Sequence, residues 1–175
     1  MKKLNTSIYF DPRNLMTLFA LPLMLLNLLS FVAPAPGPQG EGALAGDTPV
    51  LMADGSSKNL SDLKKGDVVQ GWNPEKGLVP VAVKAVVGNY FNAYWAVRTA
   101  QGTLRTSANL WVASATGALL QVSNLQQEDL MALRETKLQT AVLTARRQYP
   151  ANLRLFNLDL AVPGLYFAGG LLVHD

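Results

Sequence analysis

The sequence predicts an all-β fold of two similar halves, preceded by one hydrophobic N-terminal helix. Three observations predict it. Short apolar runs rich in β-branched and aromatic residues alternate with Gly, Asn, Asp and Pro turns from about Thr48 onward. No segment there carries a long stripe of period 3.6. The chain also matches itself at a constant offset: Val50–Val69 (VLMADGSSKNLSDLKKGDVV) aligns without a gap on Val112–Met131 (VASATGALLQVSNLQQEDLM), with six identities in twenty, where average usage gives about one or two. The shared form is a strand, a Gly turn, Ser-x-Leu-x-x-x-Asp and an apolar pair. Two copies suggest a pseudo-two-fold domain, since a solenoid needs at least three repeats.

In chain order, residues 1–14 are a basic N-terminal segment. Lys2, Lys3 and Arg13 are opposed there by Asp11 alone, and the rest of the chain carries 12 basic and 11 acidic groups. The formal charge of +3 thus sits mostly at the start. With no basic run longer than a pair, the near-neutral body lacks the clustered charge that nucleic acid requires, and no nucleic-acid partner is expected. Residues 15–33 (LMTLFALPLMLLNLLSFVA) contain no charge. As a helix they would reach about 28 Å, close to the apolar thickness of a bilayer. Basic residues precede the run and none follows before Lys58, so the remainder is expected to be exported. Two readings stay open. The segment is an uncleaved signal anchor that makes the membrane a partner, or a signal peptide cut after the small-x-small site Ala33-Pro34-Ala35, which leaves the domain secreted or periplasmic. The constrained Pro36 after that site favours the anchor. Residues 34–42, opening PAPGPQGE, read as a Pro/Gly linker.

Residues 43–175 form the predicted β domain. TPVLMA ends at the turn Asp54-Gly55, and DVVQGW ends at NPEKG. LVPVAVKAVV and AYWAVRTA read as two long strands, with Gln101-Gly102 as a break. LWVA, TAVLTA, LRLFNLDLA and LYFA follow, and Gly169-Gly170 marks a tight turn before LLVH. SSKNLSDLKKG and SNLQQED read as short helical or turn pieces. Asp67 and Asp129, the repeated turn aspartates, are expected to bond nearby backbone amides rather than to act as a catalytic pair. Trp72, Trp95 and Trp111 are expected in strands, as core or sheet surface.

The chain has no cysteine and one histidine, His174. That excludes a disulfide framework, a thiolate metal site and a thiol nucleophile, and leaves one imidazole for all acid–base work. No cofactor and no metal are expected.

Ala43–Ser56 (ALAGDTPVLMADGS) resembles the opening block of Hint domains, the self-processing fold of inteins, bacterial intein-like domains and the hedgehog autoprocessing domain. That block commonly reads Cys-x-x-Gly-[Asp/x]-Thr-x-Val-x-x-x-[Asp]-Gly. KNLSDLKKGDVV is similar to the family's Leu-x-x-Gly-Asp-x-Val turn, Leu104–Val112 (LRTSANLWV) to its Thr-x-x-His block, and LFNLDLAVPGLYFAGGLLVHD to its closing block, which ends Tyr-Phe-x-x-Gly-x-Leu-Val-His-Asn. The likeness spans about Ala43 to Asp175 and implies the pseudo-two-fold fold that the repeat suggests independently.

The family's chemistry needs a nucleophile, a proton-transfer group, oxyanion donors and a cyclising terminal Asn. The resemblance places Ala43 at the nucleophile position, substituted; Thr106 at the family threonine; Asn109 at the histidine position, substituted; His174 at the penultimate histidine; and Asp175 at the terminal Asn position, substituted. A methyl group cannot attack, and Asn transfers no proton near neutral pH. The histidine often found before the closing aromatic strand is replaced by Val162-Pro163-Gly164-Leu165. The expectation is therefore a non-enzyme: an exported or membrane-tethered Hint domain that has lost splicing and self-cleavage and binds an unknown protein partner or serves a structural role. The alternatives are a slow, residual autoproteolytic domain using Thr106, Asn109 and His174, and an unrelated β-rich surface protein.

Overall fold

The internal repeat is written into the backbone hydrogen bonds. Met52 N–H donates to Ser56 O and Gly55 N–H to Met52 O; 62 residues on, Ser114 N–H donates to Ala118 O and Gly117 N–H to Ser114 O. Gly55 and Gly117 have the same φ of 84°. Leu60 N–H to Thr48 O and Ser61 N–H to Gly46 O likewise map onto Val122 N–H to Leu110 O and Ser123 N–H to Ala108 O. The computed structural model describes residues 42–126, 129–134 and 137–175, without the side chains at 129, 131, 133 and 134. The predicted helix at 15–33, the basic segment before it and nearly all of the linker lie outside the described residues. Among the described residues, no helix is long and apolar enough to cross a membrane.

Thirteen strands make up the described chain. The first half runs β1 (Leu44–Ala45), β2 (Pro49–Leu51), β3 (Ser57–Asn59), a 3-10 turn (Leu60–Asp62), β4 (Val68–Asn73), β5 (Gly77–Thr99) and β6 (Gly102–Thr106). The second runs β7 (Trp111–Ala113), β8 (Leu119–Gln121), a 3-10 turn (Val122–Asn124), β9 (Asp129–Arg134), β10 (Lys137–Val142) and β11 (Ala145–Leu160). The closing hairpin is β12 (Leu165–Ala168) and β13 (Leu171–His174). The predicted all-β class is what the chain adopts, and the two expected helical pieces are single 3-10 turns.

Both halves lean on that closing hairpin. β2 and β4 pair with β12, through Val50 opposite Ala168 and Trp72 opposite Leu165. Their counterparts β7 and β9 pair with β13, through Val112 opposite Val173 and Ala132 opposite Leu171. Gly169 and Gly170 make the turn, with φ of 58° and 77°. Two positive φ values in sequence suit a two-residue hairpin loop, and glycine reaches them without a Cβ clash.

The halves meet a second time in the β5–β11 ladder. Val83 faces Leu160 and Arg98 faces Ala145. The 62-residue offset carries Val83 to Ala145 and Arg98 to Leu160, so the ladder maps onto itself. The sequence reads LVPVAVKAVV and AYWAVRTA as two strands, whereas β5 is continuous over 23 residues. Gly88 stays paired, opposite Phe156. A Cβ there would stand 2.5 Å from the Arg154 Nε, whose guanidinium lies over the Phe156 ring at 5.1 Å. β11 likewise begins well before the expected LRLFNLDLA. It carries one register shift between Pro150 and Leu153, where proline has no N–H for the ladder, and a second between Asp159 and Leu160.

The main core draws on both halves: Leu44, Val50, Leu60, Val69 and Val97 pack with Leu110, Val112, Val122, Leu125 and Leu130. Trp95 packs against this core, and Trp72 against a smaller cluster around Phe167 and Leu172. The indole Nε1 of Trp111 is buried without a hydrogen-bond partner.

The symmetry makes a prediction. An added Cβ at Gly55 or Gly117 meets no atom within 4 Å, so alanine at either site costs only the positive φ, about 1 kcal/mol. Urea unfolding should give equal losses for Gly55→Ala and Gly117→Ala. Gly169→Ala should lose more, because its Cβ would come within 2.8 Å of Leu104 Cδ1. Unequal losses at the first two sites would break the proposed equivalence of the turns.

Candidate functional site

β1 is a two-residue strand inserted between longer ones. Leu44 pairs with Thr106 of β6 on one side and with Phe156 of β11 on the other. Since β5 pairs with both β11 and β6, the four strands close into a ring. Ala43 enters that ring with no exposed surface.

Its peptide groups are held on both sides. The Ala43 N–H donates to Ser107 Oγ at 2.9 Å. Its carbonyl accepts from Ser107 N–H at 2.8 Å and from Thr106 Oγ1 at 2.8 Å. Thr106 and Ser107 are themselves buried. The Thr106 hydroxyl also lies 3.2 Å from Ser107 O, but its one proton is best placed on the nearer acceptor. The sequence marks Thr106 as a donor to an oxyanion at the Gly42–Ala43 bond. Here that proton is directed one residue further on, to the carbonyl of Ala43.

Ser107 is the residue that sequence reasoning missed. Its signal was a small hydroxyl inside the Thr106–Asn109 block, at the end of a buried strand. Its geometry also limits its chemistry. An acceptor on an amide N–H lies in the amide plane, roughly 3.5–4 Å from the carbonyl carbon. Attack on a carbonyl comes from above that plane. In this position Ser107 holds the peptide and does not threaten it. Gly42 closes the other flank, since a Cβ there would fall 2.7 Å from Leu110 Cδ1 and 2.8 Å from Leu110 Cα.

Asn109 is half-buried in the turn between β6 and β7. The carbonyls on either side of it, at Ala108 and Leu110, accept from Ser123 and Val122. The turn is therefore tied to the second 3-10 turn, whose carbonyls at Val122 and Ser123 also accept from the Arg146 guanidinium.

His174 and Asp175 form a second group. Each Asp175 carboxylate oxygen accepts a backbone N–H, Oδ1 from Gly164 at 2.7 Å and Oδ2 from Leu160 at 3.1 Å. The Asp175 N–H returns a bond to Gly164 O at 3.2 Å. The carboxylate thus closes the loop Val162-Pro163-Gly164, where the resemblance leads one to look for a histidine. His174 Nδ1 stands 2.7 Å from the Asp175 backbone oxygen and faces a cleft of about 320 Å³ lined in part by Trp72, Pro74, Leu119 and Pro163. Burial pushes the nearby Tyr166 hydroxyl well above its ordinary range, and the Asp175 charge adds to that shift.

β11 links the two groups. Leu44 lies opposite Phe156 of that strand, and Asp175 bonds to Leu160, four residues along it. Because β1 runs antiparallel, the chain going back from Leu44 to Gly42 heads toward the Leu160 end. Ala43 and Thr106 are in direct contact; His174 and Asp175 are bonded to each other.

Asp67 has the turn role its sequence pattern suggests. Its Oδ2 accepts from Lys64 N–H at 2.9 Å and from Lys58 Nζ at 2.7 Å. The Lys58 and Lys64 bonds hold its carboxyl below the ordinary value of 3.8. The side chain of Asp129 lies outside the described residues. No cluster of metal-ligating side chains occurs among the described residues.

No family model matches the chain, and no curated protein matches it. Solved structures do match by fold. A DnaB intein from Synechocystis sp. PCC 6803 superposes with a TM-score of 0.69 at 20% identity, over 77% of this chain and 98% of that one. A bacterial intein-like domain from Clostridium thermocellum gives 0.69 at 17%, over 76% and 98%. The TvoVMA intein gives 0.68 at 16%, over 78% and 99%. The chain has the Hint fold of inteins and intein-like domains.

Two outcomes follow from these bonds. Asp175→Asn presents an N–H₂ to one of two backbone N–H groups and should lose about 1–2 kcal/mol of stability, measured by chemical unfolding; an unchanged midpoint would refute the loop-closing role. Asp67→Asn should lose about 1 kcal/mol at neutral pH. Because the folded-state pKa of Asp67 is depressed, its contribution is full above the ordinary carboxylate range and fades as pH falls through the folded value. The gap between wild type and Asp67→Asn should therefore begin to narrow below about pH 4 in acid-unfolding curves and keep shrinking as pH falls further; a gap that does not change with pH would remove the ionic cause.

Proposed function

We propose that this chain is a Hint domain that has lost splicing and self-cleavage. It is exported or tethered to a membrane through residues 15–33, and it serves as a binding or structural module for a protein partner. One observation carries this reading: the position from which this chemistry would start is Ala43, a methyl group with no exposed surface, on a peptide bonded on both polar sides to Thr106 and Ser107.

The reasoning runs through each required step. An amide-to-ester shift at Gly42–Ala43 needs a lone pair on the residue 43 side chain, and alanine has none. The departing nitrogen needs a proton donor; Asn109 can offer a hydrogen bond but no proton near neutral pH. Release at the other end needs a side-chain nucleophile free to turn on its own carbonyl. Both Asp175 oxygens accept backbone N–H groups from Leu160 and Gly164 instead. His174 keeps its place beside the Asp175 carbonyl, with nothing for it to assist. Export and tethering are supported by the uncharged 15–33 run and the basic residues before it.

The alternative of residual cleavage would have to use a hydroxyl. Ser107 Oγ is next to the Ala43 nitrogen but in the amide plane, and Thr106 Oγ1 is directed at the wrong carbonyl. Intact mass of the full chain, expressed with its N-terminal segment, decides between the readings. A product that starts at Met1, or near Pro36 after signal cleavage, fits an inert domain; a product that starts at Ala43 overturns it.

Restoration tests the site itself. The triple variant Ala43→Cys, Asn109→His and Asp175→Asn, with a short C-terminal tail appended, should show thiol-triggered cleavage before residue 43 or loss of the tail. A folded, soluble triple variant with neither product would mean that these positions are not a disabled processing site.

A further inference from the structure

One face of the sheet gathers three arginines, two of which have no acidic partner among the described residues. Arg147 of β11 lies opposite Ala96 of β5, and Ala96 lies opposite Arg105 of β6. Two residues along β5, Arg98 is flanked by Ala145 and Thr103. Side chains alternate along a strand with period two, so all six leave the same face. Two strand spacings put Arg147 and Arg105 about 10 Å apart, with Arg98 between them and one repeat further on.

The small side chains leave the middle open. A depression of about 310 Å³ is lined by Ala96, Arg98, Ala145, Arg146, Arg147 and Tyr149. No acid lines it. Arg105, at its far side, is paired with Asp47, an exposed pair that stabilises little. Arg146 leaves the opposite face, where its guanidinium lies over the Trp95 ring and donates to the Val122 and Ser123 carbonyls. Arg98 and Arg147 are exposed, and neither forms an ion pair among the described residues. Diagonal neighbours on a sheet are within reach of each other's long side chains, and like charges there repel.

We infer that this depression binds a phosphate-class dianion, either free or carried on a small organic group. Guanidinium forks match phosphate oxygens in pairs. A tetrahedral dianion can serve the forks of Arg98 and Arg147 together, whereas a carboxylate is taken up by one. The volume sits at the small end of ligand sites, which suits a phosphate with a short substituent. The inference does not depend on whether cleavage survives in the domain.

The test uses the full chain with three variants: Arg98→Gln, Arg147→Gln and the double change, and Lys84→Gln, away from this face, as the control. The probes are inorganic phosphate, glycerol phosphate, and phosphatidylcholine vesicles with or without phosphatidic acid, all at matched ionic strength in chloride. Saturable binding by calorimetry, or a phosphate-dependent rise in melting temperature, should appear in the wild type and in Lys84→Gln. It should weaken at least tenfold in the double variant. A soluble ligand gives it with both phosphates; a headgroup ligand gives it with the phosphatidic acid vesicles alone. Equal binding by wild type and double variant, no saturable binding to any of the probes, or a preference for a polyglutamate competitor over phosphate would each overturn the assignment.

Discussion

The ladder between β5 and β11 is the constraint on which the rest of the domain depends. Each strand belongs to one half of the repeat, and their pairing is the longest continuous contact between the halves. β1 can be two residues long and still be buried because β11 and β6 flank it, and both are positioned by β5. The far end of β11 supplies the Leu160 N–H that anchors Asp175. The near end supplies Arg147, across Ala96 from Arg105. One antiparallel register thus places the buried peptide, the closing carboxylate and the charged face. A one-residue slip would exchange the two faces of β11 and scatter all three.

The peptide at Ala43 is buried and held on both polar sides. Three hydrogen bonds meet at Ala43, from residues more than sixty positions away. In a low-dielectric interior such bonds are strong, and leaving the groups unpaired would be costly. The Thr106 and Ser107 side chains satisfy the backbone there. The same holds at the other end, where a carboxylate binds two amides and closes a loop. Neither role needs a nucleophile, so substituted residues at 43 and 175 are compatible with a well-ordered domain.

Much of this was legible in the sequence. The offset of 62 could be read from Val50, Gly55, Ser61 and Leu63 because turns and strand ends demand particular residues, and those recur at Val112, Gly117, Ser123 and Leu125. The hairpin at Gly169-Gly170 was legible for the same reason. The block likeness led to Ala43, Thr106, Asn109, His174 and Asp175. Other features were hidden because they depend on cross-strand neighbours. LVPVAVKAVV and AYWAVRTA read as two strands until their pairing with β11 joins them. Ser107 looks like an ordinary strand-end serine until the Ala43 N–H is found on it. Arg98, Arg105 and Arg147 are dispersed along the chain and read as ordinary surface charge; only the register of β11, β5 and β6 unites them. The reading that the body carries no concentrated positive charge was sound for runs along the chain and silent on faces of the sheet.

The clamp at Ala43 also sets a timescale. Its amide proton is bonded to a buried hydroxyl within a closed ring of strands, so no small fluctuation gives it to water. Exchange with solvent has to await an opening that separates β1 from both β6 and β11, which is close to unfolding the domain. That linkage is among the last in the domain to meet solvent.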